Sequence, residues 1–118
     1  MKPVYIIHPY RGNDNNFKEN KQKIETICLE LLKKGYLPIS PVHMLSFLDE
    51  EKDPAVREKA LMLCNRIMAK VHELDGVFLV AGDWRDSAGC LSELEFGYWG
   101  LNIEIFKLHH FGIKEGSD

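Results

Sequence analysis

A chain of 118 residues, 45% apolar and 28% charged, has the make-up of one soluble globular domain, able to bury a single core and too short for two. Its formal charge of −3 gives no general attraction to nucleic acid polymers or anionic membranes, so an anionic ligand must be held by a few local groups. The longest apolar run, Val77 to Ala81, is far short of the roughly 20 residues of a membrane helix, and MKPVYIIHPY lacks a signal's apolar core; a cytoplasmic protein is expected.

In chain order, Val4-Tyr5-Ile6-Ile7 is a β-branched, apolar run stopped by His8-Pro9, which predicts a buried strand. From Asn16 the period changes: Ile24, Ile27, Cys28, Leu31 and Leu32 share one face of a helix that Lys33-Lys34-Gly35 ends. Tyr36 to Ser40 is a second strand, halted by Pro41. Pro41 to Asp53 reads as an irregular connection, long enough to suggest a functional loop. Asp53-Pro54 opens a second helix, with Ala60, Cys64, Ile67, Met68 and Val71 as its apolar stripe.

Gly76 to Ala81 is the clearest central strand, followed by the loop Gly82 to Ser87. A third helix is predicted over Ala88 to Tyr98 and a last strand over Ile103 to Phe106. No repeat or linker interrupts the series, so residues 1–108 form a single domain, and 109–118 is a weakly patterned tail, either disordered or used in assembly. The cysteines, Cys28, Cys64 and Cys90, are odd in number and form no CxxC, so they read as buried or half-buried thiols; His109-His110 lacks the carboxylate and spacing of a metal site. No metal and no cofactor is expected.

Strands alternating with helices predict an α/β fold, a Rossmann/flavodoxin-like three-layer sandwich around a parallel sheet of about four to five strands. Ligands of such sheets bind beyond the carboxyl ends of the strands, where strand order reverses. Three loops lie there. The first carries His8, Tyr10, Arg11 and Gly12: Arg11 can fork a phosphate or carboxylate, or be a solvated arginine in an ordinary turn. The second carries His43, either a packing residue or a substrate contact.

The third is "DSAGCLSELEFG", residues 86–97. Asp86 or Ser87 caps a helix whose first-turn amides, beside the small Ala88 and Gly89, are open to an anion. Glu93 and Glu95 are roughly 200° apart on that helix, so they cannot share a task. Glu93 follows Ser87 by about 9 Å of helix and leans back toward the mouth, a gap that suits a sugar phosphate. The positive helix end should favour its ionised form. The alternative is that Ser92 and Glu95 form a capping box and the helix starts later.

Taken together, "VYIIHPYRGN", "GYLPISPVH", "LDGVFLVAGDW" and "SAGCLSELEFGYWG" resemble the nucleoside 2-deoxyribosyltransferase-like superfamily over about residues 3–106, most of all its small members without assigned function. The resemblance implies cleavage or transfer of the N-glycosidic bond of a nucleoside or nucleoside monophosphate. It implies Glu93 as nucleophile, Ser87, Gly89 and Arg11 around the 5′-phosphate, and a homo-oligomer, for which Tyr98, Trp99 and the tail offer surfaces. One departure stands out. Those enzymes carry an aspartate on the helix before the central strand, and Asn65 to Lys70 has none; Asp75 heads the strand as a structural residue. The acid is then His43, Asp83, Asp86 or a residue of a neighbouring subunit, or the chemistry is lost and the protein is a nucleotide-binding or sensing module.

Overall fold

The computed structural model describes residues 1–10 and 17–114. Four strands, β1 (Lys2–Ile7), β2 (Tyr36–Ile39), β3 (Val77–Val80) and β4 (Ile105–Lys107), form one sheet. Its order is β2-β1-β3-β4 and every pairing is parallel. Four helices, α1 (Phe17–Lys33), α2 (Pro41–Met44), α3 (Pro54–Glu73) and α4 (Ala88–Glu95), are interleaved with the strands. The expected Rossmann/flavodoxin-like α/β fold is the observed one.

Alternation along β1 divides the core. Val4 and Ile6, with Leu79 of β3, meet Ile24, Ile27 and Leu31 of α1 on one face. Tyr5 and Ile7, with Phe78 and Val80, meet Met68 and Val71 of α3 and Cys90 of α4 on the other. Because both faces are covered, β1 is apolar without a break, as parallel strands are. Each large side chain buried in this way contributes roughly 1.5–3 kcal/mol.

Three elements differ from expectation. Pro41 to Asp53 is less irregular than expected: Ser40 caps the single turn of α2 through its side chain, Ser46–Leu48 adds a 3₁₀ turn, and residues 49–53 are turn and loop. The third predicted helix keeps its α geometry only to Glu95 and then widens into a π-helical turn, Phe96–Gly100, in which the Leu101 amide reaches the Phe96 carbonyl at 3.0 Å. The tail beyond residue 108 is packed through Ile113. Leu108 and Ile113 join the α1 side of the core, and Phe111 meets Tyr36 edge-on, with ring centroids 5.3 Å apart. An apolar residue five after Leu108 fits no helical or strand period, which hid this closure. Among the described residues, no helix is long and apolar enough to cross a membrane.

β1 is followed in sequence by β2 on one side and in space by β3 on the other. Strand order therefore reverses between β1 and β3, and a crevice opens beyond their carboxyl ends.

Candidate functional site: a cleft over Glu93

The crevice is a cleft of about 880 Å³, within the range of small-molecule sites. His8 follows β1 at its base, and Ser87, Ala88, Gly89 and Glu93 line it from α4. Pro41, Val42, Leu45 and Leu48 form an apolar wall, and Arg57, Leu61 and Cys64 face it from α3.

Across the switch point, His8 and Gly82 pack closely. Gly82 has φ +73, and a Cβ there would lie 2.8 Å from His8 Nε2. His8 is buried, and its Nδ1 lies 2.7 Å from the Pro9 carbonyl. A carbonyl only accepts, so Nδ1 carries the proton of this pair. Tyr10 also lines the cleft, where its hydroxyl donates to Asp49 Oδ2 at 2.6 Å. Arg11 and Gly12, the other candidates on this loop, lie outside the described residues.

The helix mouth is built by Ser87. Its backbone is extended, and its Oγ accepts the Cys90 amide at 3.2 Å. The helix thus starts at Ala88, and a capping box at Ser92 is excluded. Asp86 ends the preceding 3₁₀ turn, Trp84–Asp86; it is exposed and lines the cleft, but Ser87 holds the cap. A Cβ on Gly89 would meet only Ser87 Oγ, at 3.9 Å, so the space above this first turn is open.

Glu93 is 9% exposed and Glu95 lies in solvent. The Tyr5 hydroxyl, reaching from β1 behind the cleft, donates to Glu93 Oε2. Burial pushes the Glu93 carboxyl up to about 7, and the Tyr5 hydrogen bond pulls it down by less. This overturns the expectation that the helix end keeps Glu93 ionised: desolvation of a buried carboxylate outweighs a dipole effect of about 0.3–1 kcal/mol. Burial also raises the neighbouring groups, Tyr5 well above the usual phenol range, Cys64 to about 11 and Cys90 to about 12.

His43 is not in the cleft. The one-turn helix α2 aims it away, between α1 and β2, where Nδ1 is 2.7 Å from Ser40 Oγ and Nε2 is 2.9 Å from Glu25 Oε2. It ties α2 to α1. Asp83 is exposed and not among the cleft-lining residues, so of the candidate acids on this chain only Asp86 reaches the site. Sequence reasoning missed Tyr5, Cys64 and Asp49. For Tyr5 a signal was present: a phenol inside an apolar strand needs a buried partner. Among the described residues, no group of three or more His, Cys, Asp or Glu is arranged to hold a metal ion.

No curated protein and no solved structure matches the chain. A family model does match, over residues 2–97, which takes in every strand but β4 and all of the cleft described above. The chain belongs to that family, the domain of unknown function DUF7768.

Proposed function

We propose that this protein cleaves or transfers the N-glycosidic bond of a nucleotide, with Glu93 as the nucleophile on the anomeric carbon. The observation that carries the reading is a single carboxyl buried on the floor of the cleft, one and a half turns from an open helix mouth. A 5′-phosphate takes the free amides around Ala88 and Gly89, and the sugar then lies over Glu93. Tyr5 occupies Oε2, so Oε1 attacks; the glycosyl ester that forms is opened by water or by a second base. Positive charge developing at the sugar carbon favours the ionised carboxyl at the moment of reaction. The resemblance to the nucleoside 2-deoxyribosyltransferase-like superfamily supports the same chemistry, and with it a homo-oligomer; Tyr98 and Trp99 are 58% and 78% exposed, as a subunit contact requires.

The test is base release from a panel of nucleosides and monophosphates, followed by mass spectrometry for the wild type and Glu93→Gln. Release by the wild type and its loss in the variant are expected; full release by Glu93→Gln contradicts the mechanism.

A second reading is a nucleotide-binding module without turnover. It is favoured by the burial of Glu93, which with a pKa of about 7 is largely protonated, and so not nucleophilic, in mildly acidic solution. It predicts tight binding of a monophosphate that stays intact through prolonged incubation.

A further inference from the structure

We infer that the preferred substrate is a nucleoside 5′-monophosphate whose ring is joined to the sugar through a positively charged nitrogen, a pyridinium or another quaternised heterocycle. The inference rests on the glycosidase reading and narrows its substrate class.

The first ground is what surrounds Glu93. Among the described residues, its neighbours on the buried floor are the Tyr5 phenol and the Cys64 and Cys90 thiols. A neutral base needs a proton as its bond to the sugar breaks. These three groups hold theirs tightly, the thiols at about 11 and 12, and the Tyr5 proton is committed to Glu93. Asp86, the candidate acid that reaches the cleft, is exposed and adjoins Ser87 at the helix mouth, the phosphate end. A pyridinium needs none. Glu93 Oε1 bonds to the anomeric carbon, the carbon–nitrogen bond breaks, and its electron pair returns to the ring nitrogen, which leaves neutral. Water then attacks the same carbon, the carboxylate departs, and one proton passes to solvent.

The second ground is charge. The described lining carries four carboxyls, Asp49, Glu58, Asp86 and Glu93, against two cations, Lys52 and Arg57; both cations, Glu58 and Asp86 are exposed, so the enclosed charged groups are the carboxyls of Asp49 and Glu93. The apolar wall of Val42, Leu45 and Leu48, faced by Leu61 from α3, suits a flat ring and focuses the field of Asp49 and Glu93 on it. The helix mouth takes the phosphate at the other end, so the cleft matches a ligand with opposite charges at its two ends.

The third ground couples the two. Burial disfavours the Glu93 anion, and a fixed positive charge beside it offsets that penalty. A cationic ring therefore ionises the nucleophile by binding; a neutral base does not.

The test uses the full chain and two measurements. Base release is compared among nicotinamide mononucleotide, adenosine 5′-monophosphate and uridine 5′-monophosphate. Binding of nicotinamide mononucleotide and its dihydro form, which lacks the ring charge, is measured by calorimetry near pH 7 in buffers of different ionisation enthalpy. Nicotinamide release is expected to exceed that of adenine or uracil by about 100-fold or more, the size of a general-acid contribution the neutral bases forgo. The charged form should bind about tenfold more tightly and release protons on binding, a release absent in Glu93→Gln. Adenine or uracil leaving as fast as nicotinamide, or equal binding of the two forms, overturns the inference and leaves the glycosidase reading in place. Failure to release any base overturns both.

Discussion

The Tyr5 hydroxyl in β1 donates to Glu93 Oε2 in α4, joining residues 88 positions apart across the switch point of the sheet. Tyr5 lies behind the cleft, among Ile7, Phe78 and Val80, and does not line it. It holds one carboxylate oxygen of Glu93, a residue that lines the cleft, and in the proposed reaction it is a positioning residue.

Tyr5→Phe removes the hydrogen bond that draws the Glu93 carboxyl down. Its titration, followed by ¹³C NMR of the glutamate carboxyls, should move above the wild-type value of about 7. Leaving a buried acceptor unpartnered should cost about 1–3 kcal/mol in urea unfolding. An unmoved or lowered Glu93 titration contradicts the role given to Tyr5.

Glu93 also sets a pH dependence of stability. Its carboxyl titrates near 4.5 when unfolded and near 7 when folded, so between these values the folded state holds more protons. Stability from this group is fully present below pH 4.5 and is lost as pH rises through 7, by about 3 kcal/mol. Glu93→Gln cannot ionise, so it should be more stable than the wild type at pH 8 by about that amount and nearly equal to it at pH 4.5. Urea titrations at the two pH values measure this, and a difference of the opposite sign refutes it.

At the helix mouth, the proposed phosphate binding can be tested apart from folding. Ser87→Ala loses the side-chain cap on the Cys90 amide and should cost about 1 kcal/mol. Gly89→Val should fold well, because a Cβ there enters open space. Its branched side chain covers the amides, so affinity for a monophosphate should fall about tenfold or more while affinity for the parent nucleoside holds. Equal loss for both ligands in calorimetry places the phosphate elsewhere.

Gly82 serves backbone geometry and close packing at once. Gly82→Ala puts a side chain into a left-handed residue at φ +73 and sets its Cβ against the His8 ring. A loss of about 1–3 kcal/mol is expected, together with shifted His8 resonances in NMR. A stability equal to the wild type's means that His8 yields without penalty.

The elements that position the cleft were legible where pattern and burial coincide. The β-branched runs of β1 and β3 and the stripe from Ile24 to Leu31 carry their structure in their spacing. Asp53 and Pro54 announced α3, and the Asp53 carboxylate does accept the Ala55 amide at 3.0 Å. The placement of His43 was not legible. Ser40-Pro41 has the form of a helix start, but a single turn leaves no period, and its direction decides whether the imidazole meets the cleft or Glu25. The state of Glu93 was hidden too, because its ionisation depends on how deeply Tyr5, Cys64 and Cys90 enclose it, and that is a tertiary quantity.

The central claim is that Glu93 forms a covalent bond to the sugar. Rapid acid quenching of the protein during turnover, followed by peptide mass spectrometry, tests it directly. A sugar phosphate ester on Glu93 is expected during base release, and Glu93→Gln should show neither the ester nor more than about a thousandth of the rate. Base release at the wild-type rate by Glu93→Gln, with no ester formed, would contradict it.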